Sequence, residues 1–374
     1  MHARDSQQLL EARAFAAACG VTRLADITGL DRIGVPVFHA VRPLSRALAV
    51  HQGKGLTAEA AQIGALMEAI ESDRAEAFDT RSGIGAWQDL APDERPATLS
   101  DFTRLREQSP GPEETLAWAR GERLLDGRPI QTPFDSVSLD YSGSWDQRLD
   151  HTSNGLGARF DFEGAALRGL LEVLERDGVC AWRDLSLAAR VLQGIDPDSI
   201  PYPWFGEIAA RLADAGLVLS LYNIPTLIGL PAVCAEVLDA AARASGSAFG
   251  RGWGCAPAAE EALQRALLEA LQSRLTVIAG ARDDIFFGDD DTPLVGEALP
   301  LPPGMRGLDW TAVAEAGAET GGEVTAWRLA DRLAAAGYPE TSAVRLTEPG
   351  SPVCVVKVFV PGLGAFKRKR RPPE

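Results

Sequence analysis

G-K-G-L-T-A-E-A-A-Q-I-G-A-L-M-E-A-I-E, residues 53–71, runs from a glycine-flanked lysine into a segment with helical spacing. Thr57 suits an N-cap, and small residues recur along one face, so the text predicts a helix over 57–79. Glu68 and Glu71 are three residues apart and share a face of that helix. A carboxylate pair on a largely apolar helix is costly to bury unless something cationic meets it. The pattern recurs twice. L-L-E-V-L-E-R-D (170–177) carries Glu172, Glu175 and Arg176, and R-A-L-L-E-A-L-Q-S-R (265–274) carries Arg265, Glu269 and Arg274. For any one helix, a solvated stripe explains the acids equally well. Recurrence on three distant helices favours a shared cation. A divalent metal is the common answer, and Mg²⁺ usually arrives with phosphates. The arginines suit phosphate oxygens.

Two glycine-rich approaches precede these helices. In Gly53-Lys54-Gly55 the backbone can come close to a ligand, a helix N-terminus favours anions, and Lys54 can reach a phosphate. Ser153-Asn154-Gly155-Leu156-Gly157 offers hydroxyl, amide and backbone donors ahead of the second acidic helix. An ordinary turn with a helix entry accounts for either stretch taken alone. No G-x-G-x-x-G follows a strand and no G-x-S-x-G elbow is present. The four histidines form no H-x-x-x-H pair, and the five cysteines form no C-x-x-C pair. Neither a zinc site nor a disulfide framework is therefore indicated.

Around these segments the chain alternates unevenly between helix and strand, which predicts an α+β fold with mixed or antiparallel sheets. Helices are expected over 7–20, 162–178, 203–215, 257–276 and 323–336. Strands are expected on either side of a turn at Gly29–Gly34, in the stretch from Trp118 to Tyr141, and over 217–223, 232–237 and 353–360. V-C-V-V-K-V-F-V (353–360) reads as a buried strand from its apolar run. Residues 88–117 are rich in Pro, Asp, Glu and Ser and are expected to form a surface excursion, with a short helix at 99–107. Residues 284–309 read as loop, with acids at 289–291 and prolines at 300, 302 and 303. The division expected is an N-terminal extension (1–21), one domain (22–363) and a basic tail (364–374).

At 374 residues with 46% hydrophobic and 24% charged content, the chain suits a soluble globular protein. Its net charge of −15 argues against a nucleic-acid binder. No apolar run approaches the roughly 20 residues that span a bilayer, and M-H-A-R-D-S-Q-Q lacks a signal-peptide core. A cytoplasmic location is expected.

Together these blocks resemble the YcaO family. The matching text is T-R-L-A-D-I-T-G-L-D-R-I-G-V-P-V-F-H-A-V-R-P, the 53–71 stretch, T-S-N-G-L-G-A, E-V-L-E-R-D, G-W-G-C with R-A-L-L-E-A-L-Q-S-R, and V-K-V-F-V-P-G-L. It spans about 22 to 363. The resemblance implies a YcaO-type fold whose helices enclose an ATP–Mg²⁺ cleft. ATP there activates a peptide-backbone amide oxygen, and a nucleophile then attacks the amide carbon. Glu68, Glu71, Glu172, Glu175 and Glu269 are implied as metal ligands or nucleotide-pocket acids. Lys54, Arg176 and Arg265 are implied as phosphate contacts, and Ser153 and Asn154 as part of the nucleotide pocket.

The second loop departs from the family pattern. Arg159 and Phe160 stand where Gly-Asn is usual, and Gly164 stands where a glutamate is usual, which leaves Glu163 and Asp161 as substitutes. The end R-P-P-E differs from the P-x-P-x-P tail of many azoline formers, and S-R-L-T-V-I-A-G-A-R-D-D-I (273–285) looks like TfuA-associated members. The preferred expectation is thioamidation of a ribosomally made precursor peptide with a TfuA-like partner. Azoline-forming cyclodehydration with an E1-like partner is the alternative. A degenerate scaffold that binds peptide or partner without ATP turnover is the third reading. No leader-binding segment is evident, so a delivery partner is expected, and the chain is expected to form a homodimer.

Overall fold

A computed structural model describes residues 2–104, 108–239, 241, 249–281, 307–318 and 324–363. The acids at 289–291, the prolines at 300, 302 and 303, the basic tail 364–374 and residues 105–107 lie outside the described residues. In chain order the elements begin with α1 (His2–Ala18), β1 (Arg23–Asp26), β2 (Val37–Val41), β3 (Val50–Lys54) and α2 (Ala58–Glu76). There follow β4 (Gly83–Ala86), β5 (Thr115–Arg123), β6 (Pro129–Pro133), α3 (Phe134–Val137), β7 (Leu156–Arg159) and α4 (Phe162–Arg183). Next come α5 (Leu187–Val191), α6 (Pro203–Asp214), β8 (Leu217–Asn223), β9 (Ala232–Asp239), β10 (Phe249–Cys255) and α7 (Ala259–Ala279). The last are α8 (Trp310–Ala318), α9 (Ala326–Ala335), β11 (Ser342–Arg345) and β12 (Cys354–Phe359).

The chain divides into two compact units, Met1–Ala69 with Ala181–Glu323, and Ile70–Cys180 with Val324–Glu374. The first unit holds two three-stranded antiparallel sheets, β1-β2-β3 and β8-β9-β10. Every residue of β9 is buried, as expected for the central strand of a covered sheet. Ile208 and Leu212 lie one turn apart on α6 and join Leu221, Val233, Val237 and the Ala262–Ala266–Ala270 stripe of α7 in one core. Pro203 at the first helical positions of α6 lacks an N–H that would be unsatisfied there anyway. The second unit holds the antiparallel sheet β4-β5-β11-β12-β7, with β6 paired to β5.

The α+β class agrees with the sequence. Several elements do not. T-S-N-G-L-G-A leads into strand β7, and G-W-G-C ends strand β10, although glycine is depleted in strands. Residues 134–137 turn helical inside the stretch expected to be strand, and β5 begins at Thr115, inside the expected excursion. The helix expected at 99–107 is a single 3-10 turn at 99–102, its N-cap Thr98 accepting from Ser100 N. Helix α4 continues to Arg183, beyond the expected end at 178.

Candidate functional site

The glycines explain how strands and acidic helices come together. A Cβ on Gly53 would stand 1.9 Å from the carbonyl oxygen of Ala61 and 2.1 Å from Ala65 N, both on α2. One on Gly252 of β10 would stand 2.2 Å from Ala266 O and 2.3 Å from Ala270 N on α7. One on Gly157 of β7 would stand 2.2 Å from Ala165 O on α4. In each pair the strand lies directly on a helix stripe of alanine or glycine, closer than any side chain permits. Gly53 thus presses on α2 rather than leaving its whole surface for a phosphate.

This close approach sets the carboxylates. In the first unit Glu68 Oε2 accepts from Gln52 N at 3.1 Å, beside Gly53. Glu269 Oε1 accepts from Trp253 N at 3.4 Å, between Gly252 and Gly254, and its Oε2 accepts from Lys54 Nζ at 2.9 Å. Lys54 and Glu269, 215 positions apart, are therefore brought together, with 25% and 31% of their side chains exposed. Gln52 ties the same region: its Oε1 accepts from Gln272 Nε2 at 2.9 Å and from Thr276 Oγ1, and its Nε2 bonds His39 Nε2 at 2.8 Å. An amide N–H can only donate, so His39 Nε2 is the acceptor. Arg265 reaches Glu261 on its own helix at 2.6 Å, and Arg274 is buried against Asp31 at 3.0 Å. Arg274 anchors α7 to the turn after β1.

In the second unit Glu71 Oε1 accepts from Ala158 N of β7 at 2.7 Å. Glu172 is 3.8 Å from Arg176, one turn on, and Glu175 is buried. Glu163, the expected stand-in ligand, accepts from Ala326 N at 2.6 Å through Oε1 and so serves the N-terminus of α9. Ser153 O accepts from Leu156 N at 3.1 Å across a turn in which Gly155 has φ of 83°. Asn154 lines a cleft with Lys357.

Lys357 is the residue the sequence reading passed over. It is 2% exposed in the middle of β12, and its Nζ donates to the carbonyls of Thr152 and Val137. Burial pulls its ammonium down to about 8, against the opposing pull of Asp150 and Glu172. The visible signal was a lysine inside an otherwise apolar run. His151, beside the S-N-G loop, stacks on Trp145 with centroids 4.7 Å apart. Burial pushes its imidazole below the usual histidine range, while its Nδ1 contact with Asp135 O opposes the shift. A carbonyl only accepts, so Nδ1 carries the proton.

Among the described residues no group of three or more His, Cys, Asp or Glu side chains is gathered as a ready-made metal cage. Mg²⁺ takes one or two carboxylates and completes its shell with water and phosphate oxygens. Glu68, Glu71 and Glu269 are hard oxygen donors whose direction is set by strand N–H groups, and the donor chemistry is compatible with the ion.

A family model described as YcaO cyclodehydratase, ATP- and Mg²⁺-binding, matches residues 52–364. The chain belongs to the YcaO family. It is 33% identical over 360 residues to an uncharacterized protein in the tfuA 3′ region of Rhizobium leguminosarum bv. trifolii, covering 92% of this chain and 84% of that one. It resembles the structure of YcaO from Methanopyrus kandleri bound with AMPPCP and Mg²⁺, with a TM-score of 0.69, 23% identity and coverage of 99% and 95%. It also resembles a heterocyclase in complex with substrate and cofactor, with a TM-score of 0.68, 19% identity and coverage of 92% of this chain but 50% of that one. At those identities the structural likeness speaks for the fold. Among the described residues no helix is long and apolar enough to cross a membrane.

Proposed function

We propose that this chain uses Mg·ATP to activate a backbone amide oxygen of a ribosomally made peptide, and that the product is a thioamide formed with a TfuA-like partner. The observation that carries the reading is the set of carboxylates on α2, α4 and α7. Three of them, Glu68, Glu71 and Glu269, are aimed by strand N–H groups, and Glu269 sits against Lys54. The Mg·AMPPCP in the M. kandleri relative's structure and the tfuA location of the Rhizobium relative support it. Glu68, Glu71, Glu172, Glu175 and Glu269 would hold Mg²⁺ directly or through water. Lys54, Arg176 and Arg265 would meet phosphate oxygens, each leaving a carboxylate partner to do so.

An amide oxygen is a poor leaving group and its carbon a poor electrophile. When bound, Mg·ATP supplies a phosphoryl group to the oxygen, so that sulfur can add at carbon and the oxygen depart with phosphate. The side chains of this chain contribute alignment and charge neutralisation. Lys54 and the arginines would supply positive charge to phosphate oxygens, and the tethered glutamates would hold the metal without rotamer search.

Co-expression with the precursor peptide and the TfuA-like partner, followed by mass spectrometry, tests this. A mass increase equal to sulfur replacing oxygen is expected. Loss of one water from a Cys-, Ser- or Thr-containing peptide would instead identify an azoline former, the reading that the heterocyclase likeness supports. Absence of Mg·ATP binding in titration calorimetry would leave only a peptide-binding scaffold. Sedimentation of the purified chain checks the proposed homodimer.

A further inference from the structure

A second feature of the Ile70–Cys180 and Val324–Glu374 unit lies along β12. A cleft of about 460 Å³, its open mouth included, has Lys357, Ser136 and Asn154 in its lining. Lys357 Nζ uses two of its three N–H donors on the carbonyls of Thr152 and Val137, which leaves one for a ligand. Ser136 is 1% exposed, and its Oγ has no hydrogen-bond partner. The Oδ1 of Asn154 is likewise buried without a partner. Buried polar atoms are nearly always satisfied, so unmatched ones around one cleft point to something that satisfies them.

Charge narrows the ligand. Asp101 and Asp150 also line the cleft, so two carboxylates accompany one ammonium and a polyanion is disfavoured. The buried ammonium equally disfavours a cation. Phe102 and Val173 supply apolar wall. A neutral group with one acceptor and one donor, beside an apolar substituent, matches this set. A peptide amide is such a group.

We propose that this cleft is a substrate subsite that holds a peptide amide, with Lys357 Nζ and Ser136 Oγ on the carbonyl oxygen, Asn154 Oδ1 on the N–H, and an apolar side chain against Phe102 and Val173. The assignment rests on the reading that the substrate is a peptide. It also moves Asn154 from the nucleotide to the peptide. Lys357 and Ser136 act here as positioning residues that orient the amide for activation.

The test uses the whole chain with ¹³Cε-labelled lysine, the Lys357 resonance being assigned through Lys357→Met. N-acetyl-leucine N-methylamide is the probe, with N-acetyl-leucinate and inorganic phosphate as charged competitors. The expected result is a saturable shift of the Lys357 signal by the capped amide alone. Ser136→Ala should raise its dissociation constant at least about fivefold, the loss of one hydrogen bond to a charged or buried partner. Thermal unfolding checks that this variant folds, and Asn154→Ala replaces it if it does not. No shift with the capped amide, an equal shift with phosphate, or unchanged affinity in the variants would overturn the proposal. Calorimetry of the wild-type chain with Mg·ATP reports separately on the activation reading. Nucleotide binding without amide binding removes the subsite alone, whereas amide binding without nucleotide binding removes the ATP chemistry alone.

Discussion

Lys54 and Lys357 are two lysines on strands, and they solve opposite problems. Lys54 is partly exposed and meets Glu269 at 2.9 Å, an arrangement that solvent and salt weaken and that a phosphate can replace. Lys357 is sealed inside its unit and is met by carbonyls rather than by a contacting carboxylate. A half-exposed ion pair contributes little to stability and is free to exchange partners. A buried ammonium costs the fold free energy and keeps one direction. The first suits a group that must let go of its partner when nucleotide arrives. The second suits a group that must not move.

Four substitutions probe this contrast. The largest effect is expected at the acids: Glu175→Gln or Glu172→Gln should lower ATP turnover at least about 100-fold, beyond what loss of an outer-shell partner costs, while thermal unfolding still shows a folded chain. Full turnover in both variants would remove α4 from the nucleotide chemistry. Next comes Lys357→Met, read through pH. The lysine has its ordinary value of 10.5 when unfolded and about 8 when folded. Between those values the unfolded chain binds more protons, so stability should rise with pH, by about 3 kcal/mol in total. Below about pH 8 both states are charged and the whole penalty is present. The methionine variant lacks this component, so its stability relative to the wild type should rise by about 3 kcal/mol as pH falls from 10.5 to 8. Parallel curves would mean that the buried lysine does not pay the expected charge penalty. The smallest effect on stability is expected for Lys54→Met, under about 1 kcal/mol in chemical denaturation. Its KM for ATP should nevertheless rise about tenfold or more, as for a lost charged hydrogen bond. A large stability loss with unchanged KM would reverse the contrast between the two lysines.

Much of this was legible in the residues. The small-and-apolar period of α2, α4 and α7 was plain, as were the acids on them and the apolar runs that became β8, β9 and β12. The strands β7 and β10 were not, because glycine reads locally as loop. What makes those strands is the helix that lies on them, and the contact Gly157–Ala165 or Gly252–Ala266 exists only in three dimensions. The pairing of Lys54 with Glu269 crosses most of the chain and leaves no local trace. Ser136 gave no signal at all, since it follows two strands in an ordinary-looking S-V-S, and only tertiary packing buries its hydroxyl. Glu163 enters only through the family pattern, and the bond of its Oε1 to Ala326 N at the start of α9 spans 163 positions and leaves no local trace.

The strand tethers on Glu68, Glu71 and Glu269 also separate two properties that mutagenesis usually confounds. Glutamine at these positions retains the length needed to reach the strand N–H but surrenders the charge. Aspartate retains the charge but is one methylene short of the strand. A pair of variants at a single position therefore dissects reach from valence, because the main chain, and not neighbouring side chains, fixes where each acid ends.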